Sequence, residues 1–405
     1  MQLFGSNSIN NINRSTARLR LIKERLRHRL TNDTVLNLEK VGVVFLFILL
    51  AFIISTPFRS PGAYAANSCV WTGAVNSNWD TVGNWTSCGG VAPAADDTVT
   101  FNSTYNVAAS INAGAAVTVA GFTMDTGYTA TITQLQVLTV SGDFIISGGT
   151  LTATSSYTIS VGGNWSRPAG TFNHGSGTVN FTATDAGNTV TTGAQAFYNT
   201  TFNGVGGSWA FQDAVTSSGT ITLTNGSLNT NNQTVSCGSF NSSNTNTRSL
   251  TLGSSVITVS SATSAVTWNL TTTTGLTFDA GTSTIALSGS SGSKYGGFNG
   301  GGKIYASVSL TGSGSPAIWG ANTFANLTRT GTAVKTDGLY LNANQTITGT
   351  LTLNGNSATN RLLIQSDTTG TSRTLTTAAV SVISTDFSDI TGSGVATWDL
   401  SAATG

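Results

Sequence analysis

From position 117 onward apolar residues seldom stand together. They alternate with Thr, Ser and Asn, the period-two pattern of strands with one buried face. The alternation itself recurs. In "VLTVSGDFIISGGTLTATSSYTISVGGNWSRPAGTF" (137–172), Leu138, Val140, Gly142, Asp143, Gly149 and Leu151 are answered, at a constant offset of 21, by Ile159, Val161, Gly163, Asn164, Gly170 and Phe172. Phe144 meets Trp165 at the same interval, and Val117, Val119 and Gly121 precede Leu138, Val140 and Gly142 by that interval again.

A copy of this size cannot fold alone. About six inward apolar side chains contribute roughly 9–18 kcal/mol gross, whereas ordering the backbone and side chains of one copy costs roughly 30 kcal/mol. Copies must stack so that each strand bonds the next, which predicts an all-β solenoid in which each copy is one coil. Val119, Val140 and Val161 then lie one above another about 4.8 Å apart. Gly142 over Gly163 and Asp143 over Asn164 mark a corner that needs unusual backbone angles or side-chain bonds to the main chain.

A longer repeat runs through the second half. "TFNHGSGTVNF" (171–181) matches "TFDAGTSTIAL" (277–287), "FYNTTFNG" (197–204) matches "IYASVSLTG" (304–312), and Trp209 matches Trp319. "GTITLTNG" (219–226) matches "GTLTLNGN" (349–356), and "TWNLTTTTG" (267–275) matches "TWDLSAATG" (397–405). The offset grows from 106–110 to 130, by about one coil, within 325–344. Tandem β-sandwiches would accept insertions of any loop length; a solenoid gains whole coils. The predicted organisation is a basic and apolar leader over 1–65 and a capping segment over 66–116. Repeats follow over 117–275, the first long copy starting at 171, with a second long copy over 276–405. That copy stops where the first continues, which predicts a fragment, or the start, of a longer repeat protein.

Positions 1–65 are of another kind. "RSTARLRLIKERLRHRL" (14–30) is basic, "VGVVFLFILLAFIIS" (41–55) is apolar, and Ala63-Tyr64-Ala65 is an A-x-A site. Together they read as a secretory signal peptide with Ala66 as the mature start; an uncleaved signal anchor is the alternative, touching a membrane through 41–56. Either places the remainder outside the cytoplasm, secreted or on the cell surface.

Export changes the charge count. Past Ala65 there are eight Lys and Arg against thirteen Asp and no Glu, a net of −5. Clustered cations are missing, so nucleic acid is not an expected partner. Cys69 and Cys88 are candidates for a disulfide in an oxidising compartment, worth roughly 3 kcal/mol on the chain-entropy account. Cys237 is then a small buried residue.

"GNWSRPAGTFNHGSGTVNFTA" (163–183) followed by "FYNTTFNG" resembles a repeat of large secreted and surface proteins of bacteria, in which G-N-W, G-T-F, G-x-G-T-V-x-F and F-Y-N-L-T succeed one another. The Leu of the last word is Thr200 here. "WTGAVNSNWDTVGNWTSCGGVAPAADDTVTF" (71–101) is similar to their opening segment. The resemblance to autotransporter-passenger-like and filamentous-haemagglutinin-like adhesins implies a right-handed parallel β-helix that displays or adheres, with glycans or other cell surfaces as partners. It brings no catalytic residue, metal or cofactor.

Two chemistries compete with that reading. Trp71, Trp79 and Trp85 offer faces for sugar rings, but closing the first coil as a cap is the better use of three clustered indoles. A polysaccharide lyase or glycosidase on the same scaffold would need carboxylates gathered on one wall. The best set is Asp143, Asn164 and Asp185, spaced by 21, with Arg167 nearby. Adjacent Asp96 and Asp97 point to opposite faces of a strand, Asp386 and Asp389 fail the same test, and His174 lies in a turn-like "FNHGSG". An exported structural or adhesive solenoid without turnover is therefore the expected function, and the glycan-cleaving enzyme the alternative.

Overall fold

The computed structural model describes residues 66–262, 266–290 and 296–401. The signal segment expected over 1–65, with its membrane contact at 41–56, lies outside them. Residues 65–405 form one compact unit. It is a right-handed parallel β-solenoid of about 13 turns, with coils of about 22 residues and 2% helix.

The predicted stacking is present residue for residue. Val117–Val119, Leu138–Val140 and Ile159–Val161 pair in parallel, with Val119 opposite Val140 and Val140 opposite Val161. The column continues upward through Phe181, Phe202 and Leu223. Each coil carries three strands. The first face holds the column just described. The second runs through Gly121–Met124, Phe144–Ile146 and Trp165–Ser166. The third runs through Thr131–Gln134, Thr150–Thr152 and Thr171–Asn173. Alternation turns every second side chain inward, so Val140, Phe144 and Leu151 of one coil are all fully buried.

Aromatic residues fill the interior where the period predicted them. Phe122 stacks on Phe144 at 4.7 Å and 8°, and Phe144 on Trp165 at 4.7 Å and 2°. The spacing is that of neighbouring strands, so the ladder of rings follows from the ladder of backbones. Phe181–Phe202 and Phe240–Trp268 repeat the motif further along.

Coil length is less uniform than the sequence period. Phe240 pairs with Trp268 and Trp268 with Phe298, so the offset there widens to 28 and then to 30. The surplus is spent at corners, as in 242–247 and 271–275 between the first and second faces, which leaves the strands in register. The winding also begins inside the expected cap: Thr98–Phe101 pairs with Gly121–Met124, and Ala109–Ile111 with Thr131–Gln134.

The long repeat holds a surprise. Its second copy is displaced by one face. Gly219–Gly226 spans a strand of the first face, whereas Gly349–Asn356 spans one of the third. Thr178–Phe181 lies on the first face, and its counterpart Thr284–Leu287 on the third. Trp209 is buried on the second face and Trp319 is half-buried on the first, so the indoles recur in sequence without recurring in place. The insertion nevertheless adds one complete coil, because the winding passes 338–341 and 345–347 before reaching the third face at Thr350.

Inward and outward positions of one coil should respond very differently. Phe144→Ala empties a fully enclosed site between two stacked rings and is expected to cost about 3–5 kcal/mol. Thr139→Ala, on the outside of the neighbouring strand, should stay within about 0.5 kcal/mol. Urea unfolding of both variants measures this; equal losses would contradict a shared interior.

Candidate functional site

The predicted corner joins the first face to the second. The Asn164 main-chain N–H and Nδ2 both donate to Asp143 Oδ1, at 2.8 and 2.9 Å. Asn164 Oδ1 in turn accepts from the N–H and hydroxyl of Thr189, both at 2.8 Å. The polar column is therefore Asp143–Asn164–Thr189. Asp185 stands outside it, accepting from Asn188 Nδ2, because the coil after Asn164 is longer than 21 at this corner.

Gly142 and Gly163 serve the corner through space and not through backbone angle, since neither has a positive φ. A Cβ at Gly142 would sit 2.6 Å from the Ala120 carbonyl oxygen, and one at Gly163 would sit 2.6 Å from Asp143 Oδ1. The left-handed positions are Gly149 and Gly170, at φ +63° and +67°, where the chain turns from the second face into the third.

Arg167 is not available as a base. It is buried, and its guanidinium donates to the carbonyls of Thr192, Ala169, Gly170 and Gly193. Arg248 and Arg329 repeat the arrangement in later coils. Arg248 reaches Ser242, Asn246, Thr272 and Thr274. Arg329 is fully buried and donates to the carbonyls of Leu310, Gly312, Gly314, Thr330 and Gly338. Burial lowers the pKa of all three, that of Arg329 to about 10. Each guanidinium gathers several main-chain carbonyls at or beside a corner through charge-assisted hydrogen bonds. The sequence reading missed these clamps, although alternation marks them: Arg167, Arg248 and Arg329 each stand two positions from an inward Trp165, Leu250 or Leu327.

The remaining carboxylates do not converge. Asp96 and Asp97 do not lie on a strand as expected but in the turn that precedes Thr98–Phe101, and that turn exposes Asp96 and buries Asp97. Asp386 binds Arg361, and Asp389 accepts from the Gly370 N–H. His174 Nδ1 accepts from the Ser176 N–H inside its own turn.

At the first coil, Cys69 and Cys88 form a disulfide across a sequence separation of 19. Trp71, Trp79 and Trp85 are all buried, meeting edge-to-face with centroids 4.8–5.0 Å apart around Trp85. Trp85 Nε1 donates to the Trp79 carbonyl and Trp71 Nε1 to that of Val107. None of the three indole faces is open to a sugar ring; together they close the interior. Asp97 lies beside the sulfurs, but its carboxylate is engaged by Asn67 and Ala94. With the sulfurs bonded to each other, the three side chains are a structural knot and not a metal centre.

Surface clefts among the described residues offer little more. One of about 520 Å³ is walled by small residues of 113–118 with Asp80 and Pro93, and one of about 310 Å³ lies over Gly206, Gly207 and Gly226. Neither holds two free titratable groups. The accessible chemistry is on the faces, many of whose outward positions are hydroxyls and amides: Thr118, Thr139, Ser160, Asn180, Thr201 and Thr222 form one continuous rank on the first face. A search of protein families, curated proteins and solved structures returns no match to this chain.

The cap and the free thiol give two checks. Replacing Cys69 and Cys88 by Ser should lower stability by about 3 kcal/mol, seen as a lower melting temperature that reductant no longer changes. Cys237 is buried, which pushes its thiol from 9.0 to about 12. A raised folded pKa means stability that is complete below pH 9 and lost as pH climbs toward 12, by about 1.4 kcal/mol at pH 10. Cys237→Ala should remove that share of the alkaline slope; a slope identical to the parent's would refute the burial.

Proposed function

We propose that the chain is an exported structural or adhesive solenoid that holds its outer faces away from a cell and performs no turnover. The observation that carries this reading is the unbroken stack of about 13 turns around one interior, with outward Thr, Ser and Asn in register from coil to coil. A hydrogen-bonding surface of that regularity suits repeated weak contacts whose strength comes from number. The leader with its A-x-A site, the disulfide and the low charge all suit life outside the cytoplasm. Likeness of the G-N-W, G-T-F and F-Y-N words to bacterial autotransporter-passenger-like and haemagglutinin-like adhesins supports the same reading, and glycans or other cell surfaces are the partners it suggests.

The test has two arms. Cells expressing the full chain should present it to externally added protease and should adhere to glycan-coated or cell-coated surfaces more strongly than cells without it. Incubating the protein with acidic and neutral glycans should release no new reducing or unsaturated ends. Retention in the cytoplasm, or glycan cleavage, would overturn the proposal.

A further inference from the structure

The three faces differ in what they point outward. The second carries Asp279 among its outward residues, and the first carries Asp386 with Arg361 beside it. Among the described residues, the third carries no charged and no aromatic side chain in its outward ranks. One rank runs from Thr216 through Thr258, Ser309, Thr328 and Thr352 to Ser381, each coil adding one position and Ala286 alone lacking a hydroxyl. Two positions earlier, on four of these strands, Thr284, Ser307, Asn326 and Thr350 form a shorter second rank flanked by Val256 and Ala379, in which Asn326 Oδ1 accepts from the Thr350 N–H. Below them the same face repeats the pair as Thr131 and Thr133, then Thr150 and Thr152.

Strand geometry fixes the grid. Neighbouring coils stand about 4.8 Å apart, and alternate positions on one strand about 6.6–6.8 Å. Each Thr is β-branched and stiff at χ1, so methyl and hydroxyl repeat in a constant orientation. None of these hydroxyls makes a hydrogen bond within the described residues. They are half-buried or exposed, and their bonding capacity is directed outward.

The chemistry of the face selects its partner. A charged polymer, a mineral or an anionic membrane needs complementary charge, and the ranks offer none. A sugar ring seeks an aromatic platform, and the ranks hold no aromatic. The partner left is neutral, bonds through hydroxyl-sized groups, tolerates methyls between them and is periodic in two directions. The geometry points to the third face as a binding surface for an ordered water lattice, that is, for ice. Threonine hydroxyls hold water at the grid points while the methyls leave gaps that water bridges, and contacts of small individual value add along the coils. This extends the adhesive reading by naming what one face holds, and the two fail separately.

The full-length protein is tested in supercooled drops and by slow freezing onto a cold probe. Growing ice should become faceted, and the protein should be retained in the ice fraction. Thr328→Tyr and Thr352→Tyr, centred on the third face, should lose most of that retention. Thr251→Tyr, outward on the second face, should keep it, all variants showing the parent's circular dichroism. Round crystals and exclusion from ice would overturn the water-lattice partner. So would equal losses in Thr328→Tyr and Thr251→Tyr. If ice is not bound while expressing cells still adhere, the adhesive reading stands without this partner; if ice is bound and cells do not adhere to glycans or other cells, the reverse holds.

Discussion

Parallel main-chain pairing between successive coils is the constraint on which everything else rests. Each strand can satisfy its N–H and C=O groups only if the chain returns, after one winding, to lie directly over its previous pass. That return fixes the cross-section at three strands. It makes the interior one side chain deep from each face and forces like residues into columns. The stacked rings of Phe122, Phe144 and Trp165 are a consequence of that register and not its cause.

Corners are where the constraint is hardest to meet, because the chain there leaves the ladder. Three solutions recur. A polar side chain reaches up one coil, as Asp143 does to the Asn164 main chain. A glycine admits the close approach of the coil below, as at Gly163, or the left-handed turn, as at Gly170. A buried arginine gathers carbonyls from two or three coils at once, as Arg329 does. The last is the most demanding, since desolvating a guanidinium is costly unless every donor finds an acceptor.

Much of this is legible in the sequence. Val119, Val140 and Val161 announce their column because period two within a strand and period 21 between strands are independent signals that agree. The Cys69–Cys88 link follows from the expected oxidising compartment, and the indole cap from clustering. Counting by 21 misplaces Asp185 because it assumes a constant coil, while corners absorb extra residues freely. Arg167 looks reactive only while its charge is weighed ahead of its position; standing two places from Trp165 already assigns it to the interior. The displacement of the second long copy by one face is illegible, since sequence similarity reports which words recur and not where in the winding they land.

That displacement says something about how such a molecule can grow. The three sides accept the same words, so a duplicated stretch need not contain an integral number of windings to be built in. A segment copied with a fractional remainder is rotated about the long axis by a third of a revolution, and the motif it carries then looks out in a new direction. Lengthening the rod and redirecting what it shows are, for this architecture, a single genetic event.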